Sequence, residues 1–356
     1  MTYIIAEAGV NHNGQAEVAH QLIEVGAQCG ANAVKFQTFK ADKLVTQNAQ
    51  QAVYQQKNVN KSQSQYELLK NLELSYADHL ALAHTCQKNQ IDFMSTAFDI
   101  DSLYFLIEEL GVDILKIPSG DITNAPYLLA HAQFKKRIIL STGMASLSEI
   151  EQALGVLAFG LMNLNEAPCR KAFELAYSSN EGQNLLNQYV TVLHCTTEYP
   201  APFNQINLQA MKTLQTAFKL PIGYSDHSAG IEVSIAAVAL GAQIIEKHFT
   251  LDKAMEGPDH KASLNPKELS QMVSSIRNIE LAMGDGIKRS QPVEILNKSV
   301  ARRSLVAASD IASGDIFNAE NIAIKRPGNG MSPFEYWDIL GSIATQKYQA
   351  GDLIEK

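Results

Sequence analysis

The sequence predicts an α/β fold: a (β/α)₈ TIM barrel over residues 1–285, a linker at 286–298 and a small domain at 299–356. Three observations lead there. Eight short runs rich in Ile, Val and Phe recur along the chain, each of strand length. Amphipathic patterns separate them, and near-continuous apolar strands alternating with helices imply a parallel sheet covered on both faces. After Gly286 the alternation stops, and short strand-like runs follow with no barrel-style helix between them.

In order, the strand runs are Tyr3–Ala6, Ala33–Gln37, Asp92–Thr96, Ile114–Ile117, Arg137–Ser141, Thr191–His194, Ile222–Ser225 and Ile244–His248. Helical stretches between them include Glu17–Cys29, Asp101–Leu110, Leu147–Phe159 and Glu232–Leu240, and Pro266–Met283 completes the eighth unit. Eight such units close into a barrel more naturally than they form an open sheet. An open doubly wound sheet would want a phosphate-binding glycine turn after its first strand, and Gly9–Gly14 lacks that spacing. Two insertions interrupt the pattern. Residues 41–75, rich in Gln, Asn and Lys, follow the second strand on the catalytic face and are a candidate lid. Residues 163–188 precede the sixth strand on the opposite face and read as structural.

Residues 288–298 are polar and read as a linker. In the tail, Ser304–Ala307 and Ile322–Lys325 read as strands. Ile311–Phe317 and Tyr348–Ile354 echo each other, each placing Gly-Asp between apolar residues as a tight turn would. A module of about sixty residues is small for a self-sufficient core, so it is expected to lean on the barrel or on a second subunit.

Hydrophobic residues make up 46% and charged residues 19%, the profile of an ordinary globular protein. A formal charge of -8 argues against nucleic acid as a partner, because a phosphate backbone demands clustered Lys and Arg. No basic stripe suits a membrane surface, and the apolar stretch Ile231–Ile245 is interrupted by Glu232, Ser234, Gly241 and Gln243. The chain opens on a strand without leader-like features, and Cys29, Cys86, Cys169 and Cys195 show no paired spacing. A cytoplasmic protein with reduced thiols is the expectation.

In a barrel the carboxyl ends of the strands form the active site. Those ends carry Glu7, Asn11 and His12; Lys35 and Gln37; Ser95, Thr96 and Asp99; and Lys116, Ser119 and Asp121. They continue with Ser141 and Thr142; His194, Thr196 and Tyr199; Ser225, Asp226 and His227; and Glu246, Lys247 and His248. Polar groups are costly to bury without purpose. Two lysines and several hydroxyls at one mouth suit a phosphorylated anion, and Gly120 and Gly143 let backbone amides approach it. His227 and His248, ending neighbouring strands, suit either a shared divalent metal with open positions or one base and one structural imidazole. No CxxC pair accompanies them, which argues against a closed zinc site.

The motifs Glu7–Gly14, Val34–Phe39, Ser95–Asp99, Lys116–Asp121 and Ile139–Met144 resemble the sialic acid synthase family. So do Leu193–Pro200, Gly223–Ser228, Glu246–Asp252, Gly257–Leu264 and Lys325–Gly330, in order over essentially the whole chain. The tail resembles that family's antifreeze-like (SAF, β-clip) domain. The resemblance implies condensation of phosphoenolpyruvate with an open-chain acetamido-mannose sugar, giving a nine-carbon nonulosonic acid and phosphate. It implies a divalent metal, Mn²⁺ or else Mg²⁺ or Co²⁺, held by His227 and His248. It makes Lys35, Thr96, Lys116, Ser119, Ser141 and Ser225 the phosphoenolpyruvate cradle, and Glu7, Gln37, Tyr199 and Asp259 sugar-side or metal-side contacts. Arg326 would reach the acetamido group from the partner in a domain-swapped homodimer.

Water addition during such a reaction needs a carboxylate base. Asp121, two residues beyond Ser119, is the first candidate and Glu7 the reserve. Many members of the family carry Glu where this chain has Asp121, one methylene shorter. Thr197, where N-acetylneuraminate synthases often show Asn, and the stretches Thr196–Pro202 and Gly257–Leu264 lean toward 2,4-diacetamido-2,4,6-trideoxymannose over N-acetylmannosamine. A metal-dependent aldolase using pyruvate is a rival, but pyruvate has no phosphate for the cradle to hold. A non-catalytic carbohydrate- or ice-binding protein is a further rival, suggested by the tail alone.

Overall fold

The computed structural model describes residues 1–51, 56 and 64–355. Part of the candidate lid, at 52–55 and 57–63, lies outside the described residues. The chain forms two compact units, Met1–Gly284 and Asp285–Lys356.

The first unit contains eight parallel strands: β1 Tyr3–Gly9, β2 Ala33–Thr38, β3 Asp92–Ala97, β4 Ile114–Ile117, β5 Arg137–Ser141, β6 Val190–Cys195, β7 Ile222–Asp226 and β8 Ile244–His248. Their hydrogen-bonded order is β3-β2-β1-β8-β7-β6-β5-β4, and β3 and β4 lie side by side to bring the sheet round into a TIM barrel. Strand side chains alternate between faces. Outward residues such as Ile4, Ala6, Val34 and Phe36 join the main core beneath the helices. Inward residues Ile5, Ala33, Met94, Ile139 and Leu193 form a separate apolar plug within the barrel. The polar inward residues lie above that plug, at the strands' carboxyl ends.

Several helices begin where local chemistry dictates. Ser75, Ser146 and Asn265 each accept from the backbone three residues on, while Asp78, Glu149 and Glu268 reach back, so two otherwise orphaned amides are satisfied at each start. The helix begun at Ile100 is α-helical to Tyr104 and widens to a π-turn over Phe105–Glu109. Residues 163–188 form two helices, Arg170–Ser178 and Asn180–Tyr189, the first packing against Leu147–Met162.

In the second unit, Pro292–Ala301 is helical, within the segment expected as a linker. Gln291 and Glu294 form its capping box and Pro292 occupies its first turn, a start signal hidden by the polar composition. Strands β9 Ser304–Ala307 and β10 Ile322–Lys325 pair antiparallel. Leu305, Ile311, Phe317, Ile322, Tyr348 and Ile354 contribute to a small core. The two echoing phrases fold alike: Asp315 accepts from the Ala312 amide and Asp352 from the Gln349 amide, each at 2.7 Å. Gly314 (φ 98°) and Gly351 (φ 97°) supply the left-handed residue of each turn. No helix among the described residues is long and apolar enough to cross a membrane.

Candidate active site

Parity along the strands decides which polar residues meet. Glu7, Lys35, Gln37, Thr96, Lys116, Ser141, Ser225, Glu246 and His248 point inward and line a cavity of about 290 Å³. Ser119, Tyr199, His227 and Asp259 join them from the loops beyond the strands. A cleft of about 370 Å³ on the barrel's flank, between the helices from Ala125 and Leu147, carries no comparable set of buried charges.

Four buried charges form one network. Lys35 Nζ lies 2.6 Å from Glu7 Oε2 and 3.7 Å from Glu246 Oε2, and it donates to Thr96 Oγ1 at 3.0 Å. Lys116 Nζ lies 3.4 Å from Glu246 Oε1, which also accepts from Ser225 Oγ at 2.9 Å. Burial drives the Glu7 carboxyl up to about 7, with Glu246 adding to the rise against the pull of Lys35 and Lys116. Burial also pushes Glu246 upward, but Lys116, Lys35 and the Ser225 hydroxyl outweigh it and hold that carboxyl at about 2. Burial opposes the charge on Lys35, yet Glu246 and Glu7 keep its ammonium more strongly protonated than usual. One carboxylate therefore anchors two cations while the other is poised near neutrality.

The imidazoles are both kept neutral. Burial lowers His227 to about 4 and pushes His248 well below its ordinary value. His227 Nδ1 lies 2.7 Å from the Thr196 carbonyl, so it carries the proton and leaves the Nε2 lone pair free to accept. Nε2 is 3.3 Å from Ser225 Oγ. The two rings are 5.8 Å apart, and Tyr199 packs 4.2 Å from His227 and 5.6 Å from His248. His248 Nδ1 and Ser141 Oγ are buried with no hydrogen-bond partner. Two neutral imidazoles with an unsatisfied ring nitrogen are the donor set a divalent cation takes. Among the described residues no group of three or more His, Cys, Asp or Glu is arranged for a metal. Asp259 is buried and lines the same cavity, and burial pushes its carboxyl up to about 6.

Asp121 does not reach this cavity. Ser119–Asp121 is a single 3₁₀ turn, so a residue two beyond Ser119 faces away from it. The Asp121 carboxylate instead accepts from Asn124 Nδ2 at 3.0 Å. Arg326 is exposed in the second unit, just after β10. Thr197 has its Oγ1 3.4 Å from Ser119 Oγ.

Other strand-end groups are structural. Lys247 and Asp226 point outward, 3.0 Å apart and fully buried, with Ser228 and Ser234 completing their bonds. Asp99 caps the helix at Ile100, Thr142 Oγ1 donates to the Leu193 carbonyl, and His194 Nε2 bonds the Ile206 carbonyl. Glu246, which pairs with both lysines in the cavity, is the residue to which sequence reasoning gave no role. Its signal was parity: it sits two residues before His248, on the same face of β8.

The NeuB family pattern matches residues 22–288, and the SAF domain pattern matches 302–356. The chain is 50% identical over 355 residues to an N,N'-diacetyllegionaminic acid synthase of Campylobacter jejuni, covering 100% of this chain and 99% of that one. It is 44% identical to the N,N'-diacetyllegionaminic acid synthase of Legionella pneumophila, over 98% of this chain and 92% of the relative. Among solved structures, the N-acetylneuraminic acid (sialic acid) synthetase of Leptospira borgpetersenii, in complex with citrate, is 35% identical with a TM-score of 0.65, covering 83% of this chain and 90% of that one.

Proposed function

The chain belongs to the NeuB family of sialic acid synthases, and from that premise we propose that it condenses phosphoenolpyruvate with open-chain 2,4-diacetamido-2,4,6-trideoxymannose to give diacetyllegionaminate and phosphate. The observation that carries this reading is one buried cavity holding both the Lys35–Lys116 cradle and the neutral pair His227 and His248. The choice of sugar rests on the two legionaminic acid relatives, more similar over the full chain than the sialic acid synthetase.

Lys35 and Lys116 hold the phosphate and carboxylate of phosphoenolpyruvate by charge, while Thr96, Ser119, Ser141 and Ser225 donate to its oxygens. Glu246 keeps both ammonium groups aimed inward. His227 and His248 would hold a divalent cation, Mn²⁺ or else Mg²⁺ or Co²⁺, which supplies Lewis-acid polarisation of the aldehyde oxygen. Gln37, Tyr199 and Asp259 orient the sugar so that its aldehyde carbon faces C3 of phosphoenolpyruvate. A carbon–carbon bond forms there, the former aldehyde oxygen gains a proton, and positive charge develops at C2. Water adds to C2, and Glu7, whose carboxyl lies near 7, takes the proton that the water loses. The tetrahedral centre then collapses to a ketone as the C2–O bond to phosphate breaks, its hydroxyl proton leaving with the phosphate, while the proton held by Glu7 balances the one gained by the former aldehyde oxygen. Holding both reactants in line lowers the barrier by roughly 7–11 kcal/mol.

A cytoplasmic homodimer fits this reading, with Arg326 of each tail reaching the acetamido group in the other subunit's site. The exposure of Arg326 supports it. So does the apolar row Val293, Leu296 and Val300, left exposed on the helix Pro292–Ala301. The reaction is tested by phosphate release, which is expected only when phosphoenolpyruvate, sugar and a divalent cation are all present and is lost on chelation. Turnover of free pyruvate without phosphate release would instead identify an aldolase.

A further inference from the structure

The cavity has two chemically unlike halves. Its floor carries the charged cradle described above. Its outer wall comes largely from the insertion after β2 and is apolar: Leu44, Val45, Leu68, Leu69 and Leu72 line it, with Phe98 from the loop after β3. All of these but Val45 belong to a small cluster separate from the main core, in which Val10, Phe39, Leu68 and Leu72 are buried and Leu44, Leu69 and Phe98 remain partly open. Leu68, Leu69 and Leu72 share one face of the helix Gln65–Leu72, whose start is fixed by the Ser64–Glu67 capping box. Because the insertion follows the carboxyl end of β2, this wall stands beyond the strand ends, farther from the plug than the cradle. Gln65 lies at its edge.

For a linear acceptor sugar whose aldehyde met phosphoenolpyruvate over the cradle, this wall lies within the same cavity as a surface for its far end. We infer that Leu44, Leu69 and Phe98 seat the C6 methyl of the acceptor and so select 6-deoxy sugars against 6-hydroxy ones, an inference that rests on the synthase reading above. A methyl gains by contact with the leucines, whereas a hydroxyl there would leave water for an apolar surface.

The test compares 2,4-diacetamido-2,4,6-trideoxymannose with its 6-hydroxy counterpart, which differs at C6 alone. Wild-type kcat/KM is expected to favour the 6-deoxy sugar by about 10–100-fold, the range open to a hydrophobic pocket facing an added hydroxyl. In Leu69→Gln and in Leu44→Gln the ratio falls to roughly threefold or less, mainly through a raised KM for the 6-deoxy sugar. Circular dichroism and thermal unfolding verify that each variant is folded. Equal use of both sugars by the wild type, or an unchanged ratio in both folded variants, overturns the selection while leaving the synthase reading intact. Phosphate release with neither sugar overturns the synthase reading, and the selection falls with it.

Discussion

Glu7 and Glu246 are both buried carboxylates beside Lys35, yet they are driven in opposite directions because Glu246 also holds Lys116 and Ser225. Replacing Glu7 by Gln keeps its shape and removes its basicity. The expected outcome is a fall in kcat of about 10²–10⁴-fold with KM for phosphoenolpyruvate little changed, read by steady-state phosphate release. His248→Ala removes one of the two imidazoles and is expected to abolish measurable turnover while circular dichroism shows the fold retained. Away from the site, His131 is buried with Nδ1 bonded to the Tyr127 carbonyl, and burial lowers it from 6.5 to about 4. The unfolded chain therefore binds a proton between those values that the folded chain refuses. The stability His131 contributes is complete above about 6.5 and is lost as pH falls toward 4, with no further change below. His131→Gln is expected to flatten the decline of Tm over that interval. The gathering of residues in one cavity was legible where parity and motif agreed, as for Lys35, Lys116, His227 and His248. Asp121 was misplaced because adjacency in sequence says nothing about direction around a 3₁₀ turn.

At the scale of elements, the eight strands were legible because each packs on both faces and so reads as a continuous apolar run. Three of them, β4, β5 and β8, have the bounds read from sequence, as do the tail's β9 and β10. The helices at 170–178, 180–189 and 292–301 were not separated from their surroundings. Each buries two residues or fewer, so the apolar periodicity that marks a helix is thin. Asp226 and Lys247 were grouped with the mouth because strand-end position was weighed without the alternation of faces. Within β7, Gly223 faces the barrel interior, where an added Cβ would lie 2.5 Å from Leu193 Cδ2 and 2.6 Å from the Ile244 carbonyl oxygen. Backbone cannot yield as a side chain does, so Gly223→Ala is expected to destabilise by about 1–3 kcal/mol, measured by urea unfolding. Unchanged stability would show that β7 and β8 can part at no cost.

At the scale of the whole molecule, the account joins a catalytic barrel to a tail whose Arg326 is proposed to serve a partner subunit. Mixing Arg326→Ala with His248→Ala chains tests that sharing. Subunits that exchange tails rebuild one intact site, so partial activity should return on mixing, while a self-contained site would stay inactive. Family membership follows from similarity along the full chain, but the acceptor sugar is proposed to depend on a few side chains at the cavity's edge, where motif reading has least power. The most direct measurement of the central claim is phosphate release from phosphoenolpyruvate with Mn²⁺, comparing 2,4-diacetamido-2,4,6-trideoxymannose with N-acetylmannosamine. The account predicts a clear preference in kcat/KM for the trideoxy sugar. Preference for N-acetylmannosamine would make the enzyme a neuraminate synthase and contradict the reading of the cavity's outer half.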